Sequence, residues 1–168
     1  MSNALSPEQE RRQSWMATLA KAEEDELETA WDQLGLEPEY TWLRQPEFGS
    51  TMIRARAGGT GDPFNLGEAT MTRCALRLAD GTAGYGYILA RSTRHAELAA
   101  LCDALMQTDE HSAAVESTVI APLAVAQKKR NDEESKRANA TKVDFLAMER
   151  GVSLTSKAQY EGKGYGKK

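Results

Sequence analysis

Apolar and polar positions follow two different periods along this chain, and the changes of period divide it into three blocks. The first block is helical. Ser6-Pro7-Glu8-Gln9 marks a helix start: Ser6 can cap, Pro7 suits the first helical position, and Gln9 can close a capping box. Trp15, Met16, Leu19 and Ala20 then form one apolar stripe. Leu27, Ala30, Trp31 and Leu34 repeat the helical spacing, and Gly35 and Pro38 stop the second helix.

In the second block the period drops to two. Tyr40 to Arg44 is aromatic and β-branched and predicts a short strand. Thr51, Ile53, Ala55 and Ala57 alternate with Met52, Arg54 and Arg56, which predicts a second strand with two arginines on one face. A glycine-rich connection from Gly58 to Gly67 leads to a third strand over about Glu68 to Ala79. Asp80-Gly81 is a tight-turn signal, and a fourth strand over Thr82 to Ala90 closes a hairpin. Gly84 and Gly86 share one face of it, where something bulky can approach closely.

The third block returns to helix. Leu98, Leu101, Cys102, Leu105 and Met106 make a regular stripe, and Ser92 or Thr93 can cap it. Val115, Val119, Ile120 and Leu123 predict another apolar turn, interrupted at Pro122. Gln127 to Lys142 is almost wholly polar, with Lys129–Glu133, Arg130–Glu134 and Asp132–Lys136 at helical pair spacing. It reads as a solvated or partner-bridging helix. Val143 and Phe145 then alternate as in a strand, one that could complete a sheet at home or in a neighbour. The expected fold is α+β, an antiparallel sheet of about four strands packed with flanking helices, plus a C-terminal polar helix and late strand. Residues 1–150 read as one domain, and residues 151–168, glycine- and lysine-rich, as a disordered tail.

Composition narrows the function. A 168-residue chain with 40% hydrophobic residues can bury a core, and a net charge of −4 argues against a nucleic-acid partner. Two cysteines and two histidines make neither a disulfide framework nor a zinc module. No apolar run nears the roughly 20 residues that cross a bilayer, and the polar start lacks the order of a signal peptide. The expectation is a cytoplasmic protein with no membrane partner.

Candidate chemistry concentrates in two segments. Arg56-Ala57-Gly58-Gly59-Thr60-Gly61 could offer backbone N–H groups and a guanidinium to an anion. The commoner use of such glycines is positive φ or close packing against another chain. No Lys-Ser or Lys-Thr follows, so this is not a nucleotide-hydrolase phosphate loop. Gly67-Glu68-Ala69-Thr70-Met71-Thr72-Arg73-Cys74 gathers carboxylate, hydroxyls, guanidinium and thiol on one strand. Neither His95 nor His111 stands in a catalytic or metal-ligand context, and Cys74 and Cys102 read as small buried residues. No catalytic constellation emerges from the residues themselves.

Several segments in order resemble the PhnG family, a subunit of the carbon–phosphorus lyase core complex. They include Arg12-Gln13-Ser14-Trp15-Met16, Ala55-Arg56-Ala57-Gly58-Gly59-Thr60-Gly61, Gly67-Glu68-Ala69-Thr70-Met71-Thr72-Arg73, the turn Asp80-Gly81-Thr82, His95-Ala96-Glu97 and Asp103-Ala104-Leu105-Met106-Gln107. Ile120-Ala121-Pro122-Leu123, Lys142-Val143-Asp144-Phe145 and Met148-Glu149-Arg150-Gly151 complete the set. The resemblance implies a non-catalytic assembly subunit in organophosphonate catabolism. Such a subunit supports formation of ribose 1-methylphosphonate 5-triphosphate from ATP and methylphosphonate. It further implies no cofactor, the other core subunits as partners, and a homodimer within a hetero-oligomer. Candidates for partner contacts or a shared substrate channel are Arg54, Arg56, Gly58, Gly59, Gly61, Thr70, Thr72 and Arg73. The alternative is a stand-alone phosphonate- or phosphate-binding protein or enzyme using Arg54, Arg56 and the Gly58–Gly61 loop.

Overall fold

The computed structural model describes residues 5–57 and 60–140. Two helices, α1 (Pro7–Lys21) and α2 (Glu24–Leu34), precede three strands, β1 (Tyr40–Arg56), β2 (Pro63–Leu78) and β3 (Ala83–Ile88). Then come α3 (Thr93–Leu105), a single turn α4 (Ser112–Val115), a π-helical turn over Glu116–Ile120, and α5 (Ala121–Ala140). The sheet is antiparallel throughout, in the order β1-β2-β3. The expected α+β class is what forms.

Local signals place the helix ends. Ser6 Oγ accepts from Gln9 N–H while the Gln9 side chain accepts from Ser6 N–H, so the capping box is complete. Gly35 ends α2 in the left-handed region at φ 63°, where a side chain would be strained. Ser92 caps α3 through His95 N–H at 3.1 Å.

The strand count is corrected from about four to three among the described residues. Tyr40 to Arg44 and Thr51 to Ala57 are not separate strands but the two ends of β1. Pro46 and Gly49 signal a break between them, yet β1 lies at the sheet edge. A proline there can point its missing donor away from the ladder. The pairing slips at Arg44/Glu47 and then continues, with Gly49 opposite Met71. β2 likewise starts at Pro63, five residues before the expected Glu68, because Asn65 and Gly67 pair with Arg54 and Ile53.

Helices cover one face of the sheet. Thr72, Cys74, Leu76 and Leu78 of β2 point toward them, as do Gly84, Gly86 and Ile88 of β3, and all are buried. Gly84 and Gly86 are where α3 lies almost on the strand. A Cβ on Gly84 would sit 2.0 Å from Ala100 O, and one on Gly86 2.1 Å from Ala96 O. α3 is enclosed on nearly every side, from His95 to Leu105, with small Ala96, Ala99, Ala100 and Ala104 allowing close approach.

Among these apolar groups lies one fully buried carboxylate. Asp103 accepts from Arg12 Nε at 3.1 Å and Nη2 at 2.7 Å, from Trp15 Nε1 at 2.9 Å and from Tyr85 N–H at 3.0 Å. It thereby ties α1, α3 and β3 together. The imidazole of buried His95 meets Leu19 O at 2.8 Å and fastens the other end of α1.

Pro122 does not interrupt the helix as expected. The π turn over Glu116–Ile120 immediately precedes it, and such a widened turn can accommodate a residue that has no N–H to donate. α5 runs on as the predicted polar helix, but its three expected intrahelical pairs do not form. Instead Arg130 Nη1 donates to both carboxylate oxygens of Glu26 on α2, at 2.7 and 2.8 Å. Exposed helix pairs contribute only about 0.2–0.5 kcal/mol each, so little holds Arg130 to Glu134 when Glu26 offers both its oxygens. The expected late strand at Val143 and Phe145, and the tail, lie outside the described residues.

Two stability outcomes are expected. Asp103→Ala leaves the Trp15 and Tyr85 donors without a partner and should destabilise the fold by about 3 kcal/mol, read from the urea midpoint. Arg12→Ala leaves the fully buried carboxylate without its cation and should cost at least as much, although the guanidinium itself is 32% exposed. Gly84→Val drives a side chain into α3 and should lose about 2 kcal/mol or more, while Gly49→Val, in open space, should stay within about 0.5 kcal/mol. Equal midpoints for the two glycine variants would refute the close approach.

Candidate functional site

β3 reaches only as far as the Thr72–Ile88 pair on β2. Beyond it, Gly49–Arg56 and Pro63–Met71 continue as a two-stranded ribbon with no third strand among the described residues. At about 3.3 Å per residue its eight-residue β1 side spans about 26 Å. A two-stranded hairpin is only marginally stable in water without a packed face. This one leaves its apolar side chains bare: Met52, Ile53, Phe64 and Leu66 are all exposed, Leu66 by 64%, and Phe48 at its base is exposed too.

The ribbon collects most of the residues singled out in the sequence. Arg54 and Arg56 lie near its tip, opposite Asn65 and Pro63. Both are exposed, and Arg54 makes no ion pair among the described residues. Arg56 Nη1 donates to Gly61 O at 3.1 Å, folding the guanidinium over its own loop. Gly61 N–H closes that loop on Ala57 O at 2.9 Å. A Cβ on Gly61 would come within 2.8 Å of the same oxygen, so close approach explains this glycine and positive φ does not. Gly58 and Gly59 lie outside the described residues. Thr70 is exposed along the ribbon, opposite Ser50.

Two further candidates sit at the ribbon's base and differ in kind. Thr72 is fully buried. Its hydroxyl donates to Ala90 O and accepts from Ser92 N–H, locking the end of β3 to the start of α3. Its side chain has no surface to offer a partner in this conformation. Arg73 lies on the uncovered face of the sheet, where its Nε donates to Glu47 Oε1 at 2.8 Å. Arg91 stacks over Phe48 at 5.3 Å, a base contact that sequence reasoning missed because it links residues far apart in the chain.

The remaining reactive groups are held inert. Burial pushes the Cys74 thiol up to about 11 and Cys102 up to about 12, so neither is a thiolate near neutral pH. Burial, then the hydrogen bond to Glu97, pushes the Tyr40 hydroxyl up to about 12. No group of three or more metal-ligating side chains gathers among the described residues. No described helix is long and apolar enough to cross a membrane.

The anion reading gains no support from this arrangement. It needs a guanidinium with free donors facing the glycine loop, whereas Arg56 spends one on the loop's own carbonyl. What the arrangement offers is a projecting apolar surface with charged residues at its tip.

Comparison with known proteins agrees with a family in which such a subunit occurs. The sequence model described as Phosphonate metabolism protein PhnG matches residues 10–151. The alpha-D-ribose 1-methylphosphonate 5-triphosphate synthase subunit PhnG of Rhizobium meliloti (strain 1021) is 43% identical over 143 residues, covering 84% of this chain and 90% of that one. On both grounds the chain belongs to the PhnG family of phosphonate metabolism proteins.

Proposed function

We propose that this chain is an assembly subunit of a ribose 1-methylphosphonate 5-triphosphate synthase within the carbon–phosphorus lyase core complex. It would act in organophosphonate catabolism in the cytoplasm, where ATP is at hand. The relative's name supplies the assembly. The observation that carries the structural role is the bare ribbon, a two-stranded projection with four large apolar side chains in water. An isolated ribbon of this kind is more useful covered than free, and a partner subunit is the natural cover.

On this reading the chemistry resides in other subunits. The buried carboxylate and histidine are consumed by structural bonds, and both thiols are protonated. Arg54, Arg56, Gly58, Gly59, Gly61 and Thr70 belong to the partner-facing surface or the wall of a shared channel. Thr72 and Arg73 set the ribbon's base. The subunit pairs with a second copy of itself inside the larger assembly.

Three outcomes follow. The purified chain, given ATP and methylphosphonate, should release no adenine above background; steady turnover abolished by a substitution in this chain would overturn the non-catalytic role. Met52→Asp with Phe64→Asp should abolish co-purification with the other core subunits while shifting folding stability by no more than about 0.5 kcal/mol, as exposed positions do. Gly61→Val, which breaks the Ala57–Gly61 closure and frees Arg56, should weaken co-purification in the same way. Normal assembly by both variants would remove the ribbon from the interface.

A further inference from the structure

The outer edge of the sheet is only half satisfied. On β3, Ala83 O accepts from Gln107 Nε2 at 3.0 Å, and Tyr85 N–H donates to Asp103 Oδ2 at 3.0 Å. These two bonds identify the side of β3 that faces away from β2. By the two-residue period of a strand, the backbone N–H and C=O of Tyr87 face the same way. No strand among the described residues takes them. Beside this edge runs a groove of about 430 Å³, walled by Met16, Ala17 and Ala20 of α1, Tyr87 and Ile88 of β3, and Ala99 of α3.

A free strand edge next to an apolar trough is an acceptor for an added strand. Backbone bonds give affinity, and the trough receives alternate side chains. We propose that this groove receives the segment Lys142–Leu146 from a second copy of the chain, exchanged reciprocally about a two-fold axis. The inference deepens the self-pairing part of the proposed function and rests on it.

Three observations select this occupant. The segment alternates in sequence, with Val143 and Phe145 at one set of positions and Lys142 and Asp144 at the other, and the apolar pair matches a trough whose walls include Met16, Leu19, Ile88 and three alanines beside two tyrosines. The family match runs to residue 151, past the end of α5 at Ala140, so the segment belongs to the shared unit and not to the tail beyond it. Third, α5 carries the segment outward. Leu123 is its last buried residue, and residues 131–140 are exposed on every side. At 1.5 Å per residue, Ala140 lies about 25 Å beyond Leu123 along the axis. A helix end that far from the buried part of α5 puts the segment after it within reach of a neighbour's groove. Exchange of identical segments is a low-cost route to a closed dimer.

Light scattering on size-fractionated protein tests this. The core cluster lies within residues 15–123, and thermal melts of the shortened chain, run beside the scattering, establish that it is folded before its size is read. The full chain and a chain ended after Gly151 should be dimers. The chain ended after Ala140 should be a monomer with an unchanged melting midpoint. Phe145→Ala should weaken the dimer at least about tenfold, as loss of a buried aromatic anchor does. A synthetic peptide of residues 141–151 should bind the shortened chain but not its Ala17→Arg variant, whose guanidinium fills the trough. A monomeric full chain, a dimer that survives loss of residues 141–168, or a peptide indifferent to Ala17→Arg would each overturn the inference. Co-purification with the other core subunits reports separately: a dimer that fails to co-purify sinks only the assembly role. A chain that co-purifies as a single copy sinks only the exchange.

Discussion

Asp103 has no exposed surface, yet four hydrogen bonds reach its two oxygens from three directions. Taking a carboxylate out of water costs several kcal/mol unless its lone pairs are matched. Here the match is made by a guanidinium, an indole and a strand N–H, so the cost is offset only when α1, α3 and β3 are all in place. That requirement makes the bond set a device for specificity as much as for stability. It fixes the rotation of α1 through Arg12 and Trp15, and it fixes the edge of β3 through Tyr85. The groove beside that edge has its shape because α1 is held there.

The close approach of α3 to β3 follows from the same geometry. Glycines at 84 and 86 and alanines along α3 let helix and strand backbones nearly touch, which buries α3 almost completely. The described helices sit tightly over β3 and the end of β2, and none of them covers the sheet further out. β1 and β2 therefore outrun their support and become the ribbon. The part of the sheet that is packed forms the body, and the part that is not packed presents the surface on which the proposed assembly role rests. Thr72 marks the boundary, since its buried hydroxyl ties the last supported pair to the start of α3.

Much of this architecture was legible in the chain itself. The Ser6–Gln9 box, the Gly35 stop, the Ser92 cap and the Asp80-Gly81 turn are local chemistry and formed where the residues placed them. The break expected in β1 failed because Pro46 is disfavoured in a central strand but tolerated at an edge, and edge status is not a local property. Asp103 was invisible for a similar reason. A carboxylate on an exposed helix face and one buried among donors look alike until partners 88 and 91 residues away arrive. One signal was present: α3 is apolar or small on almost every side, the mark of a helix buried all round.

The candidate site divides along the same line. By itself the sequence determined helix and strand types, the turn residues and the family resemblance. Each of these depends on side chains close together in the chain or on ordered motifs. Only the tertiary structure decided that Arg56 folds over its own loop, that Thr72 is enclosed while Thr70 is bare, and that Arg130 reaches Glu26. It alone decided that β1 and β2 project beyond the helices. Burial and pairing depend on which distant segments arrive at the same place, and a strand's alternation is the same whether a helix covers it or water does.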